Sequence, residues 1–188
     1  NLAIHSVNDY EINNELTKEL NDAVNNVNNL ATHSVNDLAT HSVNNDYEIK
    51  CTDKDVNEDW LSFLDFRDFE AYQKDVLDFK PDYLFHLGAY TDLEFCEKNS
   101  DDTYSTNTLS VENAVYIANK LNIPLLYIST AGIFDGKKEL YDDWDMPNPL
   151  GVYARSKYMG ERYVCENAER FLVCRAGWMM GSGPNKDK

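Results

Sequence analysis

Tyr153 and Lys157, in the stretch Val152-Tyr-Ala-Arg-Ser-Lys157, stand four positions apart, so on a helix they share one face. A cation beside a phenol lowers its pKa from about 10 and lets it exchange a proton near neutral pH. Ser129 and Thr130 close the apolar run that ends Tyr127-Ile128-Ser129-Thr130, and either hydroxyl can hold the oxygen that receives the proton. Together these residue types suit acid–base chemistry on a carbonyl or alcohol oxygen. Tyr-x-x-x-Lys by itself is a common surface pattern, so the weight lies in the elements around it.

Those elements alternate. Tyr47–Cys51 predicts a strand ending at Thr52-Asp53, Phe69–Phe79 a helix stopped by Pro81, and Tyr83–Leu87 a buried strand running into Gly88-Ala89-Tyr90-Thr91. A long helix is expected from Asp101 or Ser105 to about Leu121, with Val111, Ala114, Val115 and Ala118 on its apolar side. Pro124–Ile128 predicts the next strand. Residues 132–151, rich in Gly, Pro, Asp and Asn, form a loop that delivers Tyr153 into a helix reaching Asn167, and Phe171–Cys174 predicts a last strand. Repeated strand–helix order implies an α/β fold, a Rossmann-like doubly wound parallel sheet with helices on both faces.

Residues 1–45 differ in kind: they hold no glycine or proline and are rich in asparagine. Asn29-Leu-Ala-Thr-His-Ser-Val-Asn-Asp37 is followed by Asp37-Leu-Ala-Thr-His-Ser-Val-Asn-Asn45, and Asn1-Leu-Ala-Ile-His-Ser-Val-Asn-Asp9 is a third copy. The period matches none of the common solenoid units, which makes this an atypical, low-complexity N-terminal segment on an incomplete sheet. Repetition also explains His5, His33 and His41, so no metal site is assigned to them. Apolar spacing predicts a helix over 14–32, flanked by short strands at Tyr10–Ile12 and Tyr47–Ile49. The expected organisation is a repeat segment over 1–45 and a partial dinucleotide-binding domain over 46–188.

With 33 acidic against 17 basic residues the formal charge is −16, which disfavours nucleic acid as a partner. Cys51, Cys96, Cys165 and Cys174 form no CxxC pair and read as reduced thiols. No run approaches the roughly 18 apolar residues of a membrane span and no signal peptide opens the sequence, so a cytoplasmic protein without a membrane partner is expected.

In this order and spacing, residues 46–188 resemble the extended short-chain dehydrogenase/reductase superfamily, in its dTDP-4-dehydrorhamnose reductase-like branch. The resemblance is carried by Leu64-Asp-Phe-Arg-Asp68, Lys80-Pro-Asp-Tyr-Leu-Phe-His-Leu-Gly-Ala-Tyr-Thr91 and Ile128-Ser-Thr-Ala-Gly-Ile-Phe-Asp-Gly136. It continues through Pro147-Asn-Pro-Leu-Gly-Val-Tyr-Ala-Arg-Ser-Lys157, Gly160-Glu161 and Arg175-Ala-Gly-Trp178. It implies NAD(P)H-dependent reduction of a 4-keto nucleotide-sugar, with Tyr153 as proton donor and Thr130, or Ser129 beside it, holding the reacting oxygen. Lys157 would bind the nicotinamide ribose and depress the tyrosine pKa. Asp65 would lie by the adenine, Gly88, Ala89, Tyr90 and Thr91 would face the cofactor, and Trp178 would touch substrate. Asn107 falls at a recurrent helix asparagine with a structural role. Asp53, at the end of a strand, is a candidate for the adenine ribose and would favour NAD over NADP, an inference that Lys54 beside it blurs. A homodimer through the helices near 101–121 and after Tyr153 is implied as well.

The sequence departs from the pattern in three places. The branch often has an acidic residue where Ala131 stands. No Gly-x-x-Gly-x-x-Gly turn is found, the first glycine being Gly88, so weak or absent cofactor binding is expected. No stretch corresponds to a C-terminal substrate domain, and the sequence reads as a partial or rearranged chain. The alternatives are a nucleotide-sugar epimerase or dehydratase, and a non-catalytic regulatory subunit resembling that of methionine adenosyltransferase.

Overall fold

The computed structural model describes residues 3–5 (backbone only), 48–57 and 59–177. The expected strand at Tyr10–Ile12, the helix over 14–32 and Trp178 lie outside them. The chain divides into two compact units, one of Asn1–Ser6 and Leu64–Gly177, the other of Val7–Phe63 and Trp178–Lys188. The 45/46 position expected to separate two domains falls inside the second unit.

In the first unit β4 (Leu84–His86), β5 (Leu125–Thr130) and β6 (Phe171–Ala176) run parallel, β5 in the middle. Leu125, Leu126, Tyr127, Leu172, Val173 and Cys174 are all buried, as the near-continuous apolar runs of a parallel sheet require. β1 (Ala3–His5) adds an antiparallel edge strand against β6, with Ile4 opposite Cys174. The parallel sheet expected from the sequence is thus present as β4, β5 and β6, and β1 extends its edge in the antiparallel sense.

Helix α1 (Phe69–Phe79) starts where Asp68 accepts the Ala71 N–H (3.1 Å) and ends at Lys80, whose left-handed φ of 54° precedes Pro81. α2 (Leu93–Lys98), not anticipated from the sequence, is capped by Asp92 on the Phe95 N–H (2.9 Å) and carries a Glu94–Lys98 pair one turn apart. The long helix begins with α3 (Ser100–Tyr104), passes through a π turn (Ser105–Leu109) and continues as α4 (Ser110–Leu121). α5 (Val152–Asn167) carries Tyr153 and Lys157. The order β4–α4–β5–α5–β6 with neighbouring strands adjacent puts both crossovers on one face of the sheet. α4 packs against both α1 and α5, so among the described residues these helices make one layer.

α5 comes unusually close to its neighbours at Gly160. A Cβ there would lie 2.6 Å from Tyr127 Oη, 2.8 Å from the Asn107 carbonyl and 3.1 Å from a Val111 methyl. In the second unit β2 (Cys51–Asp53) pairs in parallel with β3 (Leu61–Phe63), a strand the sequence analysis missed because it is only three residues long.

Gly160→Ala should destabilise by about 1–3 kcal/mol through overpacking, read as a lower denaturant midpoint with unchanged slope. An unaltered midpoint would mean that α5 can lift off its neighbours at no cost.

Candidate active site

Turns at the carboxyl ends of β4 and β5 meet the first turns of α5, the place where open α/β sheets bind ligands. The Tyr153 phenol is half-buried, and burial raises its pKa above the ordinary value while a hydrogen bond with Thr130 pulls it back. The anticipated depression by Lys157 is not what this arrangement gives. The Lys157 ammonium instead lies 4.3 Å from the centroid of the Tyr127 ring, and burial, opposed by Glu161, lowers its pKa from 10.5 to about 7. The shared helix face is real, but desolvation governs each group more strongly than their mutual charge does.

Thr130 is buried and also caps the short turn after β5 by accepting the Gly132 N–H (3.1 Å). Ser129 is occupied elsewhere. Its hydroxyl donates to Glu161 Oε2 at 2.5 Å, and Glu161 Oε1 accepts from Arg175 Nε and Nη2 at 3.1 and 2.7 Å. Of the two hydroxyls, Thr130 is the one beside Tyr153. Ser129 serves the buried network that joins β5, α5 and β6.

The Gly88–Thr91 turn is held from behind. Asn107, in the π turn, accepts the Tyr90 N–H (2.8 Å) and donates to the Tyr90 carbonyl (3.0 Å) and to Ser156 Oγ (3.0 Å). A π turn widens the helix by one residue and is frequent at functional sites; here it lets one amide reach both the turn and α5. Gly88 has a steric reason, since a Cβ would come within 2.2 Å of the Phe66 ring. Behind it His86 is buried between Tyr72 (Oη to Nδ1, 3.4 Å) and Ser110 (Oγ to Nε2, 3.2 Å). Ser110 spends its one proton on the Thr106 carbonyl (2.6 Å), which assigns the His86 proton to Nε2. Burial, with Lys157 adding to it, lowers the His86 pKa to about 3, so the ring is neutral.

Asp65 accepts the Arg67 guanidinium in a two-point contact, and Arg67 reaches Asp102 at 3.0 Å. Asp53 belongs to the other unit, exposed at the end of β2, where it accepts the Asp55 N–H (2.9 Å). At the start of α5, Glu97 from α2 accepts the Val152 N–H at 2.7 Å. The preceding loop is pinned by Asp135, which accepts from Tyr141 (2.6 Å), Asn148 (3.0 Å) and the Lys137 N–H (3.1 Å), while Trp144 and Met146 stay exposed. His86, Tyr127, Glu97, Glu161 and Arg175 were not read as site residues, although His86, Glu161 and Arg175 stand inside the blocks quoted above.

The family model described as "RmlD substrate binding domain" matches residues 13–187. The chain belongs to this family. Among its curated relatives, a dTDP-4-dehydrorhamnose reductase of Aggregatibacter actinomycetemcomitans is 31% identical over 128 residues, covering 65% of the chain and 44% of the relative. A methionine adenosyltransferase 2 subunit beta of Xenopus tropicalis is 30% identical over 121 residues, 64% of the chain and 36% of the relative. A crystal structure of dTDP-4-dehydrorhamnose reductase from Bacillus anthracis str. Ames in complex with NADP superposes with a TM-score of 0.63 at 30% identity, covering 67% of the chain and 46% of that structure. The chain thus spans less than half the length of these RmlD-type relatives. The Rossmann-like α/β fold inferred from the sequence agrees with these neighbours.

The geometry of this site makes two claims open to measurement. Glu161→Ala leaves Arg175 and Ser129 without their shared acceptor and should cost roughly 3–5 kcal/mol by denaturant unfolding. His86 is neutral when folded but titrates at an ordinary pKa of 6.5 when unfolded. Its contribution is therefore complete above about pH 6.5 and is lost as pH falls towards 3, at up to about 1.4 kcal/mol per pH unit. A His86→Gln variant should lack this slope; an equal slope in both proteins would place the titration elsewhere.

Proposed function

We propose that the site is that of an NAD(P)H-dependent reductase acting on a 4-keto nucleotide-sugar. The observation that carries the reading is the placement of Tyr153 beside Thr130 at the carboxyl end of the parallel sheet, one helical turn from Lys157. A phenol whose pKa lies above its ordinary value is protonated at neutral pH, which is the form a reduction consumes. Tyr153 donates its proton to the sugar C4 oxygen, and Thr130 orients the phenol and shares the developing charge. Lys157 holds the ribose next to the reacting centre. The dinucleotide, when bound, supplies the hydride.

The fit of the dinucleotide is uneven across its length. Gly88 to Thr91 offer a turn pinned by Asn107, and Lys157 and Tyr153 stand on the adjoining helix face, which suits a nicotinamide half. Residues 1–87 hold no glycine, so within them no glycine turn offers the pyrophosphate a close backbone approach. Asp65, engaged by Arg67, offers the adenine side an ion pair in place of a free carboxylate.

A second reading, a regulatory subunit without catalysis, is supported by the likeness to methionine adenosyltransferase 2 subunit beta. The two readings separate on one experiment. With saturating NADPH and a dTDP-4-keto sugar, Tyr153→Phe should lower kcat by about 10²–10⁴-fold while the protein remains folded. Unchanged turnover would remove Tyr153 from the mechanism, and no turnover in the parent protein would favour the regulatory reading. Calorimetric titration should show weak binding of NADH and NADPH; micromolar affinity for either would contradict the argument from the missing glycines.

A further inference from the structure

Tyr127 grips Lys157 twice. Its ring face lies under the ammonium, 4.3 Å from centroid to Nζ, and its hydroxyl donates to the Lys157 carbonyl at 3.0 Å. One buried side chain of the central strand therefore holds both ends of a single lysine. The ring is itself held, running within 20° of the His86 imidazole at 6.3 Å between centroids, and His86 is fixed by Tyr72 and Ser110. Its hydroxyl has room only because residue 160 is glycine.

We propose that Tyr127 is the positioning residue for Lys157, its ring keeping a buried ammonium charged and its hydroxyl fixing the helix turn that carries it. A buried cation has lost its water, and the negative face of an aromatic ring is one of the few groups that replaces part of that hydration without accepting a proton. Among the described residues the other titratable groups near the ammonium are few. Glu161, one turn on in α5, favours the charge but is shared with Ser129 and Arg175. Tyr153, one turn back, is neutral at ordinary pH, and His86 on β4 is neutral by burial. The ring of Tyr127 is the contact that lies directly on the nitrogen. The importance of this for catalysis rests on the reductase reading given above; the placement of the charge does not.

The test reads the lysine and needs no turnover. In protein labelled with ¹³C at lysine Cε, the Lys157 resonance, assigned with Lys157→Met, gives its pKa by NMR titration. Tyr127→Phe keeps the ring and loses the hydroxyl, so that pKa should stay while the unfolding temperature falls. Tyr127→Leu should move the pKa down by about one unit. Since that variant opens space, fluorinated phenylalanines at position 127, nearly isosteric, provide the control: the pKa should fall stepwise as fluorine drains the ring face. A pKa indifferent to fluorination, or one that rises in Tyr127→Leu, overturns the proposal. Normal titration in a protein that shows no reductase activity would sink the functional reading and leave the proposal standing.

Discussion

The arrangement depends on how closely α5 approaches strand β5 and the π turn. At Gly160 the helix backbone comes within contact of Tyr127 Oη and the Asn107 carbonyl, and no side chain separates them. This closeness brings the Lys157 carbonyl to the Tyr127 hydroxyl and Ser156 to the Asn107 amide. The same asparagine holds the Tyr90 peptide on both sides, so the turn after β4 and the first turns of α5 are set against one another by a single residue. Moving the helix outward by the width of a methyl group would loosen all of these bonds at once.

Charge is managed inside the first unit by sharing and by neutralisation. Glu161, 3% exposed, divides its two oxygens between Ser129 and Arg175, which meets the requirement that a buried carboxylate be hydrogen-bonded and paired. His86, equally buried, stays neutral and uses both ring nitrogens. Lys157 has neither solution in full; it rests on an aromatic face, and burial lowers its pKa to about 7.

The sequence was legible where local chemistry and burial agreed. Phe69–Phe79 was bounded by Pro81 after it, and the strands at Leu84, Leu125 and Phe171 were continuous apolar runs between turn residues. Tyr153 and Lys157 could be paired because helical spacing alone dictates it. What was not legible lay in the third dimension. Nothing local distinguishes Ser129 from Thr130, yet alternation along β5 sends one to Glu161 and the other to Tyr153. The π turn has no residue signature in Ser105–Leu109, and the burial that raises the tyrosine pKa is invisible in the spacing. β3 and α2 were too short for periodicity to register, although Asp92 and the Glu94–Lys98 pair do mark the latter.

Glu97 has a consequence for anions. The first amide of α5 points at a ligand-binding edge, and in many α/β proteins such a helix start receives phosphate. Here a carboxylate from α2 already sits on the Val152 N–H, and Gly151, whose Cβ would lie 3.0 Å from that oxygen, leaves it space to do so. The helix end is thus self-capped by a fixed negative charge. A diphosphate approaching α5 meets repulsion at its opening turn.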